Sequence, residues 1–441
     1  FTYFFVNFAF EMSSIHQNLT ASYHTLGCKL NFSETSAIGR ALRGCGITAA
    51  PEGVSPDIIV VNTCSVTETA DKKGRTLIRH LGRRYPDAAI VVTGCYAQLK
   101  PAEVAALPGV ALVLGSGEKL RAAEFVDRWL ADHSPAVAVT PSRQIQTFSP
   151  SCERGDRTRW FLKIQDGCDY FCTYCTIPYA RGRSRSGQIP DLVRRVEDAA
   201  GQGAKEIVIT GVNIGEFGND NGQSFFSLLK ELDRVAGVER YRISSIEPNL
   251  LTDEIIDWVA QSRAFMPHFH IPLQSGSDNV LKKMNRRYGT DLFRERIEHI
   301  KRVMPHAFIG VDVIAGARGE TPEEWLKARE FIESLPVTRL HVFPYSERPG
   351  TAALHLPDPV EPRIRHERVA KLIEISDRKL LEFLRGQKGR TTSVLWEHTD
   401  HDGMIQGFTD NYIRVQAPFD GSLPNTVTRI TLDTDNIVPN Q

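Results

Sequence analysis

Residues Gly167 to Gly182 read GCDYFCTYCTIPYARG and set Cys168, Cys172 and Cys175 in a C-x3-C-x2-C spacing. One disulfide uses two thiols, so a set of three leaves at least one over. A lone cysteine is usually a small buried apolar residue, and Cys45 and Cys152 are read that way. The three spaced cysteines after a β-rich run have no such packing rationale. A structural zinc site normally asks for a fourth ligand, and no Cys or His follows closely enough to supply one. Three thiolates on a 4Fe-4S cluster would instead leave one iron open, as a catalytic metal requires.

A second set of cysteines is dispersed in sequence. Cys28 follows YHTLG, Cys64 follows IIVVNT and Cys95 follows IVVTG. Each stands at the end of a strand-like run. In parallel α/β sheets ligands bind beyond the carboxyl ends of the strands, so these three positions are expected to meet at one sheet edge. The chain therefore presents two cysteine triads.

The elements that must position them follow from pattern. From 22 to 135, ASYHTLG, PDIIVVNT and AAIVVTG each precede a polar helical stretch, which is βαβ logic with a mostly parallel sheet. The Pro- and Ser-containing segment 136–155 reads as a linker. From 156 to 378, RWFLKIQ, EIVITG, RYRISSIEP, HFHIPLQ, AFIGVDVIAG and TRLHVFPYS alternate with helix-length segments. Six such units suit an open, partial (β/α)6 barrel better than a closed eightfold one. A charged amphipathic helix, EPRIRHERVAKLIEISDRKLLEFLRGQ, leads into a strand-rich tail, 379–441, long enough for a small β-barrel. The expected fold class is α/β: a parallel N-terminal domain, a central partial barrel and a small C-terminal β-barrel.

Composition bounds the function. A chain of 441 residues is too long for one ordinary core and points to two or three domains. Eight cysteines in that length are far below disulfide-scaffold density, and a reducing cytoplasm would keep them as thiols. Lys plus Arg equals Asp plus Glu, at 53 each, which excludes wholesale electrostatic binding of nucleic acid and leaves local patches. The opening FTYFFVNFAFEM is too short to span a bilayer and has no basic residue ahead of it. It is read as upstream of a start at Met12, and residues 1–21 are assigned no fold. The protein is expected in the cytoplasm, off the membrane.

CDYFCTYC resembles the cluster motif of the radical S-adenosylmethionine (SAM) superfamily, whose open iron chelates the amino and carboxylate groups of SAM. TLGCKLN, VNTCSVT and VTGCYAQ resemble the N-terminal domain of the methylthiotransferases, and the tail resembles their TRAM domain, an RNA-binding barrel. The resemblance covers nearly everything after Ser22. It implies two 4Fe-4S clusters, one on Cys168, Cys172 and Cys175 and one on Cys28, Cys64 and Cys95. It also implies SAM as source of both a 5′-deoxyadenosyl radical and a methyl group.

Within the family, VNTCSVTETADKKGR, KIQDGCDYFCTYCTIPYARGRSRS and LQSGSDNVLKKMNRRY look most like the branch acting on N6-threonylcarbamoyladenosine in tRNA. The branch acting on isopentenyladenosine more often has Gln-Met-Asn after its first cysteine, where this chain has Lys29, Leu30 and Asn31. A third branch modifies an aspartate of a ribosomal protein. A reading of another class, a non-catalytic iron-sulfur protein that binds RNA, would need neither an open iron nor SAM-facing strand ends.

The resemblance places Gly211 and Asn213, in the TGVN turn, near SAM. Glu247, His270 and Gln274 stand at barrel strand ends and suit ribose or carboxylate contacts. Tyr174 either faces the SAM adenine or packs beneath the cluster. DVIAGARGET departs from the family's DVIVGFPGET at Ala317 and Arg318, and Arg318 is available there to a carboxylate or phosphate. RHLGRRYP, RGRSRS and KKMNRRY are basic runs, each weak alone. In the tail, Lys388, Arg390, Tyr412 and Arg414 are expected to grip a single-stranded loop. The implied partners are the tRNA anticodon loop and an electron donor such as flavodoxin or ferredoxin, with the enzyme a monomer.

Overall fold

The computed structural model describes residues 19–155 and 157–438. Of the expected leader, residues up to 18 lie outside the described part, while Thr20 and Ala21 open the first strand. No described helix is long and apolar enough to cross a membrane. The chain divides into two compact units, one ending at Thr140 and the other beginning at Pro141, with Val66–Glu68 counted in the second.

The first unit is a six-stranded parallel sheet. Its order is Thr48–Ala49, Thr20–Thr25, Ile58–Thr63, Ala89–Gly94, Val110–Leu114 and Ala136–Ala138. IIVVNT and AIVVTG are buried at every position, as central parallel strands covered on both faces must be. Their alternate side chains enter two cores: Ile59, Val61, Ile90 and Val92 on one face, Ile58, Val60 and Val91 on the other.

The six strands expected in the second unit all form: Trp160–Lys163, Glu206–Thr210, Arg240–Ile243, His268–Gln274, Phe308–Ala315 and Arg339–Pro344. They lie side by side in chain order and in parallel. Bridges from Tyr241 to Phe265 and from Ser245 to His270 join the first three to the last three. Some of the helices between them are capped locally, as where Thr321 Oγ1 accepts from Glu324 N at 3.4 Å. One large apolar core runs beneath the strands and includes Leu162, Ile209, Phe269 and Val311.

The segment 136–155 is more than a linker. Ala136–Ala138 is the edge strand of the first sheet, and Ser151–Glu153 pairs antiparallel with Trp160–Lys163 at the edge of the second. Cys152 is buried there, as a packing cysteine should be. The Pro and Ser residues that suggested a linker lie mostly between these strands, and each strand is only three residues long, too short to show an alternating pattern.

Helix Pro362–Gln387 leads to a four-stranded antiparallel sheet ordered Arg414–Pro418, Met404–Thr409, Thr391–His401 and Val427–Thr431, half of a barrel. It is docked on the central strands by buried arginines. Arg242 donates from Nε to Glu206 Oε1 at 2.8 Å, from Nη1 to Asp410 O at 2.8 Å and from Nη2 to Thr409 O at 2.7 Å. Arg240 reaches Phe408 O and Ser393 Oγ, both at 2.9 Å. Burial alone would raise the Glu206 carboxyl, but these two guanidiniums hold it below its ordinary value.

Glu206→Gln should therefore destabilise the unit by about 3–5 kcal/mol in urea unfolding, because it leaves buried guanidinium charge uncompensated. A carboxyl depressed in the folded state stabilises above its unfolded pKa, and that stability is lost as pH falls through the folded value. The variant should accordingly show a shallower loss of stability on acidification than the parent.

Candidate active site

The loop bearing Cys168, Cys172 and Cys175 leaves the first barrel strand and is closed at its base by Gln165–Asp166, paired with Arg185–Ser186. Cys168 N donates to Gly182 O at 3.1 Å. Gly167 is required at the turn: its φ is +74°, and an added Cβ would lie 1.9 Å from Arg183 O. Each sulfur meets an N–H. Tyr170 N lies 3.5 Å from Cys168 Sγ, Ile177 N 3.4 Å from Cys175 Sγ, and Arg286 Nη1 3.1 Å from Cys172 Sγ.

Burial raises all three thiols, pushing Cys175 up to about 12. Glu216, Cys175 and Cys172 add to the effect on Cys168, and Cys172 adds to that on Cys175. Ligating thiols must be deprotonated, and here only a strongly cationic centre would hold that charge. Among the described residues no set of three Cys, His, Asp or Glu is arranged for a single metal ion. An iron-sulfur cube takes one thiolate per iron, so its ligands stand further apart. Buried sulfurs with N–H donors aimed at them fit such a cluster.

The TGVN turn is organised by Gln165, whose Oε1 accepts from Val212 N at 3.0 Å and Asn213 N at 2.9 Å. A Cβ on Gly211 would lie 3.0 Å from both Gln165 O and Gln165 Oε1, so the glycine permits this approach. Asn213 is buried, with Nδ2 3.9 Å from Cys168 Sγ, and its Oδ1 finds no hydrogen-bond partner among the described residues. Glu247 pairs with Arg286. Burial raises the Glu247 carboxyl despite that pairing.

Tyr174 packs against the apolar cluster of Val280, Met284 and Tyr345, with its hydroxyl 3.5 Å from Arg286 Nη1. His270 Nε2 is 2.7 Å from Asp312 Oδ1, and its ring lies 4.9 Å from that of His341. Gln274 has φ of +64° beside a register shift in its strand, so the chain is irregular where it reaches the ligand edge. Arg318 pairs with Glu347 at 2.8 Å and donates to Leu356 O, which accounts for the departure in the DVIAGARGET turn with a carboxylate of the chain itself.

Two residues escaped the sequence reading. Arg286 stands inside KKMNRRY, a basic run that gives weak support for RNA contact, yet its side chain is 3% exposed and spans Cys172, Glu247 and Tyr288. No sequence signal separates it from its neighbour Arg287. Gln165 had a signal: it is a polar residue at the ligand end of a barrel strand.

In the first unit, Thr25, Asn62 and Thr93 form one row across three adjacent strands. Cys28, Cys64 and Cys95 come just beyond that row, at the same carboxyl edge. Cys28 stands at the residue just before helix Lys29–Gly44, and Cys95 opens helix Cys95–Leu99. Gly27, at φ +106°, packs so closely that an added Cβ would be 3.1 Å from Cys64 Sγ. Asn31 ties the edge together by donating to Leu26 O at 2.8 Å and Thr63 O at 3.1 Å.

The tail residues divide. Lys388 is exposed beside Asp433 at 3.2 Å, and Arg414 lies over the Phe408 ring. Arg390 pairs with Asp410 at 2.6 Å. Tyr412, expected on a free surface, sits instead in the seam between tail and barrel. Its ring stacks on Phe408 at 4.8 Å and lies under the Arg242 guanidinium, and its hydroxyl accepts from Arg159 at 3.0 Å. Burying an aromatic face between arginines favours docking of the tail over exposure.

A three-thiol loop at the ligand edge of an open six-stranded barrel defines a radical SAM protein. In agreement, the model of the Radical SAM superfamily matches residues 162–332, and that of the uncharacterized protein family UPF0004 matches residues 20–115. The threonylcarbamoyladenosine tRNA methylthiotransferase MtaB of Bacillus subtilis (strain 168) is 40% identical over 406 residues, 90% of this chain and 90% of its own. A tRNA-2-methylthio-N(6)-dimethylallyladenosine synthase of Pelotomaculum thermopropionicum is 30% identical over 418 residues, 92% of this chain and 93% of its own. The radical SAM methyltransferase TsrM of Kitasatospora setae shares the fold, with a TM-score of 0.55 at 15% identity over 73% of this chain and 72% of that one. The chain belongs to the MtaB/MiaB family of radical SAM tRNA methylthiotransferases. Its cofactors are SAM and a 4Fe-4S cluster.

Proposed function

We propose that the enzyme inserts a methylthio group at C2 of N6-threonylcarbamoyladenosine next to the tRNA anticodon. Cys168, Cys172 and Cys175 would hold the SAM-cleaving cluster, and Cys28, Cys64 and Cys95 a second one. The observation that carries the substrate is the difference between relatives: 40% identity to an enzyme named for threonylcarbamoyladenosine against 30% to one named for dimethylallyladenosine, over similar lengths.

When bound, the clusters and SAM supply the electron, the radical, the sulfur site and the methyl group. The chain's residues bind and orient. Asn213 Oδ1, buried and unpartnered, offers an acceptor to an amino group beside Cys168. Gln165 holds the turn that carries Asn213, and Gly211 lets the two approach. Arg286 donates to Cys172 and anchors Glu247, keeping a buried carboxylate close to the thiolates. Tyr174, His270 and Gln274 complete the SAM-facing set. Lys388, Arg390 and Arg414 would meet RNA phosphate from the tail. A flavodoxin or ferredoxin would serve as reductant, with the enzyme acting as a monomer.

The test is mass spectrometry of nucleosides after anaerobic incubation of reconstituted enzyme with SAM, dithionite, sulfide and tRNA carrying either modified adenosine. Methylthio product on the threonylcarbamoyl tRNA alone is expected. Product on the isopentenyl tRNA alone would overturn the substrate. 5′-Deoxyadenosine without change in either tRNA would move the substrate to the ribosomal-protein aspartate.

A further inference from the structure

The cluster loop carries two aromatic side chains that its own fold does not bury. Phe171 is 36% exposed and Tyr179 49% exposed, although each immediately neighbours residues packed inside. Their rings meet edge to face at 6.2 Å, and the exposed Arg183 guanidinium lies 4.6 Å from the Phe171 ring centre. Arg287, also exposed, covers the Tyr170 ring at 4.1 Å on the same loop.

The backbone at Phe171 adds a second observation. Its φ is +49°, a left-handed conformation in which a bulky residue is uncommon. Asn285 Nδ2 holds it there by donating to Tyr170 O and Phe171 O, each at 3.3 Å. Local folding alone would favour Gly or Asn at such a position and a polar side chain at such a surface. The loop does the reverse, and presents an aromatic beside Cys172.

We propose that Phe171 and Tyr179 form a stacking platform for unpaired bases of the tRNA anticodon loop, with Arg183 and Arg287 beside it for the flanking phosphates. Exposed aromatic faces interleaved with arginines are the chemistry of single-stranded nucleic-acid binding, since every base has a π-face. Their place on the cluster loop would hold the loop's bases at the edge where the reacting adenine must enter. This inference rests on the tRNA reading above and adds to it which surface grips the substrate.

The test measures binding of reconstituted holoenzyme to an anticodon stem-loop RNA. Phe171→Ala and Tyr179→Ala should each weaken it by about tenfold, the size expected for one base–aromatic stack. Phe171→Trp and Tyr179→Phe should bind like the parent. Arg183→Ala should lower the slope of log affinity against log salt by about 1, while the aromatic variants leave that slope unchanged. Equal affinity in parent and alanine variants would overturn the proposal alone. So would intact RNA binding combined with slower reduction by flavodoxin but not by dithionite, which would make the patch a reductase dock. A parent holoenzyme that binds no stem-loop would overturn the tRNA reading itself, and this proposal with it.

Discussion

Cys168→Ala should bring 5′-deoxyadenosine formation down to background, whereas Cys64→Ala should retain it and yield no methylthio-adenosine. The two residues belong to separate triads at separate sheet edges: Cys168 is on the barrel loop, and Cys64 lies beyond strand Ile58–Thr63 of the first unit. Removing Cys168 takes one of three thiolates from the site beside Asn213. Removing Cys64 takes no thiolate from that loop. Each variant should lose about four irons per chain on the two-cluster reading. The checks are anaerobic product analysis with dithionite, nucleoside mass spectrometry and iron content. If Cys64→Ala lost both activities equally, the division of labour between the triads would fail.

Arg286→Met is the second large effect. Its guanidinium donates to Cys172 Sγ at 3.1 Å, on the loop proposed to hold the SAM-cleaving cluster, and it also pairs with the buried Glu247. Charge-assisted bonds of this kind are stronger than neutral ones, and hydrogen bonds to sulfur help set the potential of an iron-sulfur site. SAM cleavage should fall by about 10–100-fold, the usual effect of losing such an outer partner. The midpoint potential, read by redox titration with electron paramagnetic resonance, should become more negative.

A structural role is separable. Glu247 left buried alone costs stability, and its carboxyl, already raised by burial, would take up a proton. The double variant Arg286→Met with Glu247→Gln should recover stability without recovering the potential. An unchanged potential in Arg286→Met would make the arginine a clamp for Glu247 only.

Much of this is legible in the sequence. The strands were readable because buried parallel strands are continuous β-branched runs, as in IIVVNT and AIVVTG. The cysteine loop was readable because its ligands are local: C-x3-C-x2-C needs only one turn of chain to converge. The edge strands Ala136–Ala138 and Ser151–Glu153 fall in a segment that reads as linker because three residues are too few to show a period, and Pro and Ser stand between them. Tyr412 was misplaced for a related reason. Its partners, Arg159, Arg242 and Phe408, come partly from distant barrel residues, and their convergence leaves no local pattern.

The sequence by itself determined the chemistry on offer: which side chains are thiols, that three of them share one short loop, and that three more end successive strands. It also determined the βα order, because periodicity and turn residues act over a few positions. Only the tertiary structure decided which charges are spent inside the fold and which face outward. Arg286 and Arg287 are adjacent and identical in type, yet one is buried against Cys172 and the other is exposed beside Tyr170. Desolvation depends on everything that packs around a group, so burial and pairing belong to the fold as a whole.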